Sequence, residues 1–147
     1  MKLSSYIAGW IAALSVVASL AFAQEQGKEV PGALGDRVQQ VISGQINAFK
    51  SREHEKAFGF AAPSIRKIFK TTDQFIGMVK GGYGAIYGAQ GWSFGRNRIV
   101  DDKLYQEVIL TGPAGADWVA LYTLKEQGDG SWKITGVQLK RAQTSST

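Results

Sequence analysis

The spacing of apolar residues changes once along this 147-residue chain, and that change limits the folds open to it. In the first part of the chain, apolar side chains recur every three or four positions, whereas from Trp92 onward they alternate with polar ones. Residues three and four apart share one face of a helix, and alternate residues share one face of a strand. The sequence therefore predicts helices followed by a sheet, which is an α+β fold.

The helical part predicts one long helix and three short ones. Asp36 is suited to cap the long helix. Its apolar stripe consists of Val38, Val41, Ile42, Ile46 and Phe49. The short helices are predicted over residues 55–60, 64–69 and 72–82, with a proline in the first turn of the second and two glycines at the end of the third.

Four strands are predicted over residues 92–100, 104–110, 117–125 and 131–139. Short turns rich in glycine and aspartate separate them, so consecutive strands should pair antiparallel. Ile134 is out of phase with Val137, and a bulge at Gly136 would restore the phase and bend the sheet. We predict N-terminal helices packed on a bent four-stranded antiparallel sheet with one concave face.

The first 23 residues have the features of an export signal. Lys2 precedes an uncharged apolar stretch over residues 6–20, and Ala-Phe-Ala at 21–23 fits a cleavage pattern. A membrane anchor is the alternative, but a spanning helix needs ~20 apolar residues, so no transmembrane segment is expected after cleavage. We expect a signal peptide over 1–23, a flexible leader over 24–35, one domain over 36–141 and a disordered tail over 142–147.

The amino-acid composition excludes several kinds of functional site. The chain contains no cysteine, which excludes disulfides, thiolate metal sites and a cysteine nucleophile. Between Lys50 and Arg98, nine basic side chains outnumber three acidic ones. This region either attracts an anionic ligand or forms a solvated helical face, which is the commoner case. Export argues against nucleic acid as a partner.

A glycine-rich stretch with aromatic residues, GGYGAIYGAQGW over residues 81–92, joins the two halves of the chain. A phosphate-binding glycine loop leads from a strand into a helix. Here a helix leads into a strand, so we reject that interpretation. The glycines let the chain turn onto the edge of the sheet, and Tyr83, Tyr87 and Trp92 then either plug the core or frame the mouth of a pocket.

Few side chains in this sequence suit catalysis. His54 is the only histidine; it lacks the second histidine of the H-E-x-x-H zinc motif, and its charged neighbours predict a solvated turn. Asp101 and Asp102 are adjacent in a predicted hairpin turn, where solvation keeps their pKa values from being driven apart. We predict no catalytic residue, no metal site and no cofactor.

Gln106 lies on the predicted inner face of the sheet, between Leu104 and Val108. A buried amide without a partner costs about 1–3 kcal/mol. The hydroxyl group of Tyr122 on the neighbouring strand can satisfy it, or the amide awaits the polar group of a ligand. In the second case Gln106→Leu should abolish ligand binding and keep the fold. Arg66, on a helix expected to cover the sheet, would supply charge to an anionic ligand.

Several stretches of this chain resemble a family of bacterial proteins. They are INAFKSREHEKAFGFAAPSIRKIF, FIGMVKGGYGAIY, YQEVILTG and WVALYTLKEQGDGSWKITGV. Together they resemble the domain of unknown function 4864 family over residues 38–139, although residues 81–91 are richer in glycine than its usual pattern. Helices followed by a sheet that ends in GDGSWKITGVQL also resemble the nuclear transport factor 2-like superfamily. The resemblance implies a cone-shaped fold, a periplasmic or secreted bacterial protein, and no established activity.

Three functional hypotheses are consistent with these features. The first is an exported, non-catalytic module that binds a small ligand between sheet and helices, or an accessory domain. Its predicted ligand-binding residues are Tyr83, Tyr87, Trp92, Gln106, Tyr122 and Arg66. The second is a protein-interaction module that forms a homodimer through the outer face of the sheet. Its predicted contact residues are Ile109, Val119 and Leu121. The third is an isomerase or hydrolase of the same fold, which would need an acidic residue on the inner face.

Overall fold

The computed structural model describes residues 27–143 of the chain, and the helices come first. They are α1 (Gly32–Lys50), α2 (His54–Gly59), α3 (Pro63–Ile68), α4 (Thr72–Gly82) and α5 (Gly84–Tyr87). The strands are β1 (Gly91–Val100), β2 (Lys103–Thr111), β3 (Asp117–Glu126) and β4 (Trp132–Arg141). They pair antiparallel in the order β1-β2-β3-β4. The predicted α+β arrangement of helices and a four-stranded antiparallel sheet is confirmed.

The start of α1 differs from the prediction. The helix begins at Gly32, ahead of the expected Asp36 cap, because Pro31 takes the N-cap position with φ −55° and ψ 139°. Ahead of it, Lys28 pairs with β1: its backbone N–H donates to the carbonyl of Ile99 at 2.7 Å. Within the predicted flexible leader, Lys28 is therefore attached to the sheet and residues 32–35 are helical. The predicted signal peptide, and residues 144–147 of the predicted tail, lie outside the described residues.

The apolar stripe of α1 packs on the sheet as its spacing predicts. Val38, Ile42 and Ile46 have no exposed surface. Two of the short helices pack against the C-terminal end of the α1 stripe through aromatic contacts. The ring of Phe75 on α4 lies 4.8 Å from that of Phe58 on α2 and 6.3 Å from that of Phe49 on α1, measured between centroids. The helices thus form one layer rather than separate arms.

One face of the sheet is covered by this helical layer. Its buried members are Leu104, Gln106, Val108, Leu110, Ala120, Tyr122, Leu124 and Ile134. Ile134 belongs to β4, and the others occupy alternate positions of β2 and β3, as period-two spacing requires. Within residues 27–143 no helix covers the opposite face, and Ile109 is 42% exposed there.

A bulge in β4 bends the sheet over the helices. Gly136 opposes Thr123 and Ile134 opposes Leu124, so Thr135 is the additional residue. The bulge predicted at Gly136 is confirmed to within one residue. Because a bulge re-aims the strand beyond it, the later part of β4 separates from the helical layer and leaves space between them.

Candidate functional site

A cavity of about 330 Å³ lies between the helical layer and the sheet, and we call it the inter-layer cavity. On the sheet side it is lined by Tyr122 from β3 and by Ile134, Gly136 and Val137 from β4. These β4 residues flank the bulge at Thr135, which places them on either side of the bend. The strand irregularity therefore shapes the floor of the cavity.

The helical wall of the cavity is almost entirely apolar. It consists of Gln45, Phe49, Ala61, Ile65, Phe69, Phe75, Met78, Val79, Tyr83 and Ile86. Ile65, Phe69 and Met78 are partly exposed, so they mark the side on which the cavity meets solvent. Among the described residues that line the cavity, none carries an acidic or basic side chain. Since an unpaired charge is costly to bury, this lining favours uncharged groups.

Tyr122 supplies an unusual polar group to this lining. The residue has no exposed surface, and within residues 27–143 its hydroxyl group has no hydrogen-bond partner. Burial raises the pKa of the Tyr122 phenol, so the group stays neutral and keeps its proton at physiological pH. A buried hydroxyl without a partner costs about 1–3 kcal/mol, a cost that a bound polar group would remove.

Two other polar side chains line the cavity but already have partners. The amide Nε2 of Gln45 donates to the carbonyl of Ala57 at 3.1 Å, which joins α1 to α2. The hydroxyl group of Tyr83 donates to the carbonyl of Val137 at 3.1 Å, which joins the end of α4 to β4. Both bonds hold the walls of the cavity in place.

Of the predicted binding residues, the structure places Tyr83 and Tyr122 in the cavity lining, and the other four elsewhere. Tyr83 and Tyr87 are four residues apart, a spacing that puts two side chains on one face of a continuous helix. The backbone of Tyr83 (φ −132°, ψ 37°) interrupts the helix between α4 and α5, so the two rings have different surroundings. Tyr87 contacts His54 instead, and the indole N–H of Trp92 donates to the hydroxyl of Ser43 at 3.2 Å.

Gln106 is fully buried, as predicted, but its amide does not face the cavity. In β1 the register shifts between Phe94 and Asn97, a bulge that the spacing does not signal. The Gln106 Nε2 atom donates to the carbonyls of Gly95 at 3.2 Å and Arg96 at 3.4 Å, the two bulged residues. Its Oε1 atom accepts from Asn97 Nδ2 at 3.2 Å. The amide of Gln106 therefore forms its hydrogen bonds within the sheet. Tyr122 does lie opposite Gln106 on β3.

Arg66 also lies away from the cavity lining. Its guanidinium group sits over the ring of Phe58 at 4.9 Å from the centroid, on the exposed side of α3. Gln45, by contrast, lines the cavity but was not among the predicted binding residues. Gln45 lies three residues after Ile42 and four before Phe49, which is the spacing of one continuous buried helix face. A polar residue within that apolar repeat was the sequence signal that could have identified it.

Two features that would suggest a function are absent from the described region. Between residues 27 and 143, no cluster of three or more histidine, cysteine or carboxylate side chains is arranged to hold a metal ion. Within the same range, no helix combines the length and apolar character needed to cross a membrane.

Comparison with known proteins gives one informative result. No curated protein matches the chain, and no solved structure does. A family model described as "Domain of unknown function (DUF4864)" matches residues 33–147. This range begins in α1, contains every later helix and strand, and covers most of the chain. The chain therefore belongs to the DUF4864 family of domains of unknown function.

Proposed function

We propose that this protein is a non-catalytic binding module that takes up a small, mostly apolar molecule in the inter-layer cavity. The observation that carries the proposal is an apolar lining with one buried, partnerless hydroxyl group, that of Tyr122. Binding sites for small molecules are mostly apolar with a few placed polar groups. The hydroxyl group would orient the ligand, and the apolar wall would supply most of the affinity.

The dimensions of the cavity limit the ligand. A volume of 330 Å³ is at the lower end of the roughly 300–1,000 Å³ of ligand pockets. Taking about 30 Å³ per water-sized group, it holds roughly eleven non-hydrogen atoms. The ligand class that fits is a short alkyl or aryl molecule with one hydroxyl or carbonyl group, because no charged side chain of the described lining would balance an ion.

A matched pair of probes tests the proposal. We expect 4-propylphenol to bind the protein more tightly than propylbenzene, which has the same shape without the hydroxyl group. Tyr122→Phe should weaken 4-propylphenol binding roughly three- to tenfold, since a hydrogen bond contributes about 0.5–1.5 kcal/mol. It should leave propylbenzene binding unchanged. Titrations followed by two-dimensional NMR measure both affinities.

Two variants control this experiment. Tyr105→Phe removes the same hydroxyl group from β2 outside the cavity lining and should change neither affinity. Val137 lines the cavity and lies opposite Tyr122 of β3, so the two side chains share the inner face of the sheet. Val137→Phe therefore adds volume inside the cavity and should block both probes. If neither probe saturates the wild-type protein, or if Val137→Phe binds both as before, the proposal is wrong. If Tyr122→Phe melts at a higher temperature and binds 4-propylphenol as tightly as the wild-type protein does, the Tyr122 hydroxyl group only destabilises the fold and does not bind the ligand.

The lining residues also bear on the enzymatic alternative. The cavity offers two phenols and an amide, and the described lining contains no carboxylate or imidazole. General acid–base catalysis most often uses an imidazole or a carboxylate within hydrogen-bond reach of the reacting atom, and burial, which raises the pKa of the Tyr122 phenol, makes that phenol a poor base. This supports a binding role over an isomerase or hydrolase.

A second candidate function is self-association through the outer face of the sheet. Ile109 is 42% exposed, and Ile68 is the other exposed large hydrophobic residue of the described region. A shallow groove of about 200 Å³ beside it is lined partly by Val119 and Leu121. Because apolar surface favours burial, Ile109→Lys combined with Leu121→Lys should convert a dimer into a monomer. Light scattering measures this, and an unchanged mass rules the interface out.

We further propose that the fold is the nuclear transport factor 2-like cone and that the protein is exported. Helices covering one face of a bent sheet, with a cavity between them, support the first proposal. The apolar stretch and the Ala-Phe-Ala sequence at residues 21–23 support the second. N-terminal sequencing of the protein from its host would test export, because cleavage after Ala23 predicts a mature chain that starts at Gln24.

A further inference from the structure

Basic side chains from three elements gather around the ring of Tyr87, outside the cavity. Arg52 follows α1, His54 begins α2, and Lys80 lies near the end of α4. We call these three side chains and the ring they surround the Tyr87 platform. From sequence alone, the basic region between Lys50 and Arg98 is either an anion site or a solvated face. The platform is where the fold concentrates part of that charge.

The three basic side chains of the platform lie close to the Tyr87 side chain. The Cζ atom of Arg52 lies 4.5 Å from the centroid of the Tyr87 ring, and the Nζ atom of Lys80 lies 5.3 Å from the same centroid. The Nε2 atom of His54 is 3.0 Å from the Tyr87 hydroxyl oxygen, which corrects the expectation of a solvated histidine. The Phe49 ring packs against Tyr87 at 5.7 Å between centroids. The ring is thus held on two sides, and both cations lie over it.

The positive charge of the platform has no acidic partner. Arg52 and Lys80 are exposed, and neither forms an ion pair with a carboxylate of the described residues. The ion pairs in that part of the chain are Lys56–Glu53, Arg96–Glu107 and Lys125–Asp102. Two cations that share one aromatic ring repel each other. A bound anion would remove that repulsion.

The backbone holds Arg52 in place at a cost. Its φ of 60° is in the left-handed region, which glycine occupies freely and an arginine seldom adopts. The N–H of Arg52 donates to the carbonyl of Phe49, and the N–H of Glu53 donates to that of Ala48. These bonds are the pattern of a helix C-terminus that usually ends in glycine. An arginine at this position places a guanidinium group over Tyr87 where a glycine would place nothing.

From this arrangement we propose that the Tyr87 platform binds the phosphoryl group of a phosphate monoester. Such a group has three terminal oxygens and a charge of about −1.5 to −2 at pH 7. The planar guanidinium of Arg52 suits two of the oxygens, and the ammonium of Lys80 suits a third as a point charge. A carboxylate has two oxygens and one charge, so it would leave one cation without a partner. This site is separate from the inter-layer cavity and does not depend on its function.

Calorimetric titration with glycerol 3-phosphate tests the site. We expect saturable binding with a dissociation constant below about 1 mM and weaker binding of acetate. Arg52→Asn removes the charge while keeping a residue that tolerates left-handed backbone. It should weaken binding about tenfold, as the loss of a charge-assisted contact does. Lys80→Gln, on the exposed face of α4, should do the same. Lys67→Gln, an exposed lysine of α3, should change nothing.

The outcomes are distinct. Equal affinity for acetate and glycerol 3-phosphate overturns the phosphoryl assignment. If Lys67→Gln weakens binding as much as Lys80→Gln does, the protein attracts the anion only through its overall charge, and the site is overturned. If Arg52→Asn fails to fold, Lys80→Gln decides alone. Sedimentation with phosphatidic acid vesicles, against phosphatidylcholine vesicles, separates the two sources of the phosphoryl group. Binding to the vesicles alone assigns a lipid headgroup, and binding to the free ester assigns a soluble one. Binding to neither overturns the proposal.

Discussion

The side-chain amide of Gln106 binds the backbone at the bulge in β1. Two residues there, Gly95 and Arg96, oppose a single residue of β2, Glu107. The Nε2 atom of Gln106 donates to the carbonyl of Glu107 at 2.9 Å. It also lies within hydrogen-bond distance of the carbonyls of Gly95 and Arg96. A buried carbonyl without a partner destabilises the folded state. A glutamine within an otherwise apolar face is therefore part of the strand geometry.

Gln106→Leu tests this role. It removes the hydrogen bonds that the amide makes with the bulged segment and takes the acceptor away from the Nδ2 atom of Asn97, so the free energy of unfolding should fall by about 1–3 kcal/mol. The affinity for 4-propylphenol should stay the same, because Gln106 does not line the inter-layer cavity. Urea denaturation and NMR titration measure the two quantities. Gln138→Leu, at an exposed position of β4, is the matched control and should change stability by less than about 0.5 kcal/mol. A stable Gln106→Leu variant that no longer binds the probe would contradict this account.

At the scale of helices and strands, spacing alone predicted most of what is observed. The strands and the four longer helices occur where their apolar periods place them, because burial of one face decides each element. The bulge near Gly136 was also predictable, since it breaks the phase of β4. The bulge in β1 was not, because the residues around it, from Phe94 to Asn97, show no phase change in an already polar strand. The short helix α5 was not predicted either, because a glycine-rich sequence has weak helical preference.

The candidate site depends on the whole molecule, which is why the sequence predicted only part of it. Tyr83 was assigned because it lies at the end of a helix, and Tyr122 because it lies on the inner face of the sheet. Both are local features. The remaining cavity lining, such as Gln45 and Met78, depends on how far α1 and α4 stand from β4. That distance follows from the bulge in β4 and from long-range bonds such as that of Tyr83 to Val137. The bulge breaks the apolar phase and so is visible in the sequence, but the long-range bonds and the resulting distance cannot be read from periodicity.

The same dependence predicts that the helical layer and the sheet unfold together. The chain has no cysteine, so packing between the layers must hold them, and Ile46 of α1 and Leu124 of β3 both have no exposed surface. Ile46→Ala and Leu124→Ala should each lower the free energy of unfolding by about 2–5 kcal/mol. Each should shift one transition, seen at the same urea concentration by far-ultraviolet circular dichroism and by tryptophan fluorescence. Ile68→Ala, at a side chain that is 70% exposed, should shift it by less than about 0.5 kcal/mol. A helical signal lost before the fluorescence change in Ile46→Ala would mean that the sheet is stable without its helices, and then the inter-layer cavity would not be a fixed feature of the fold.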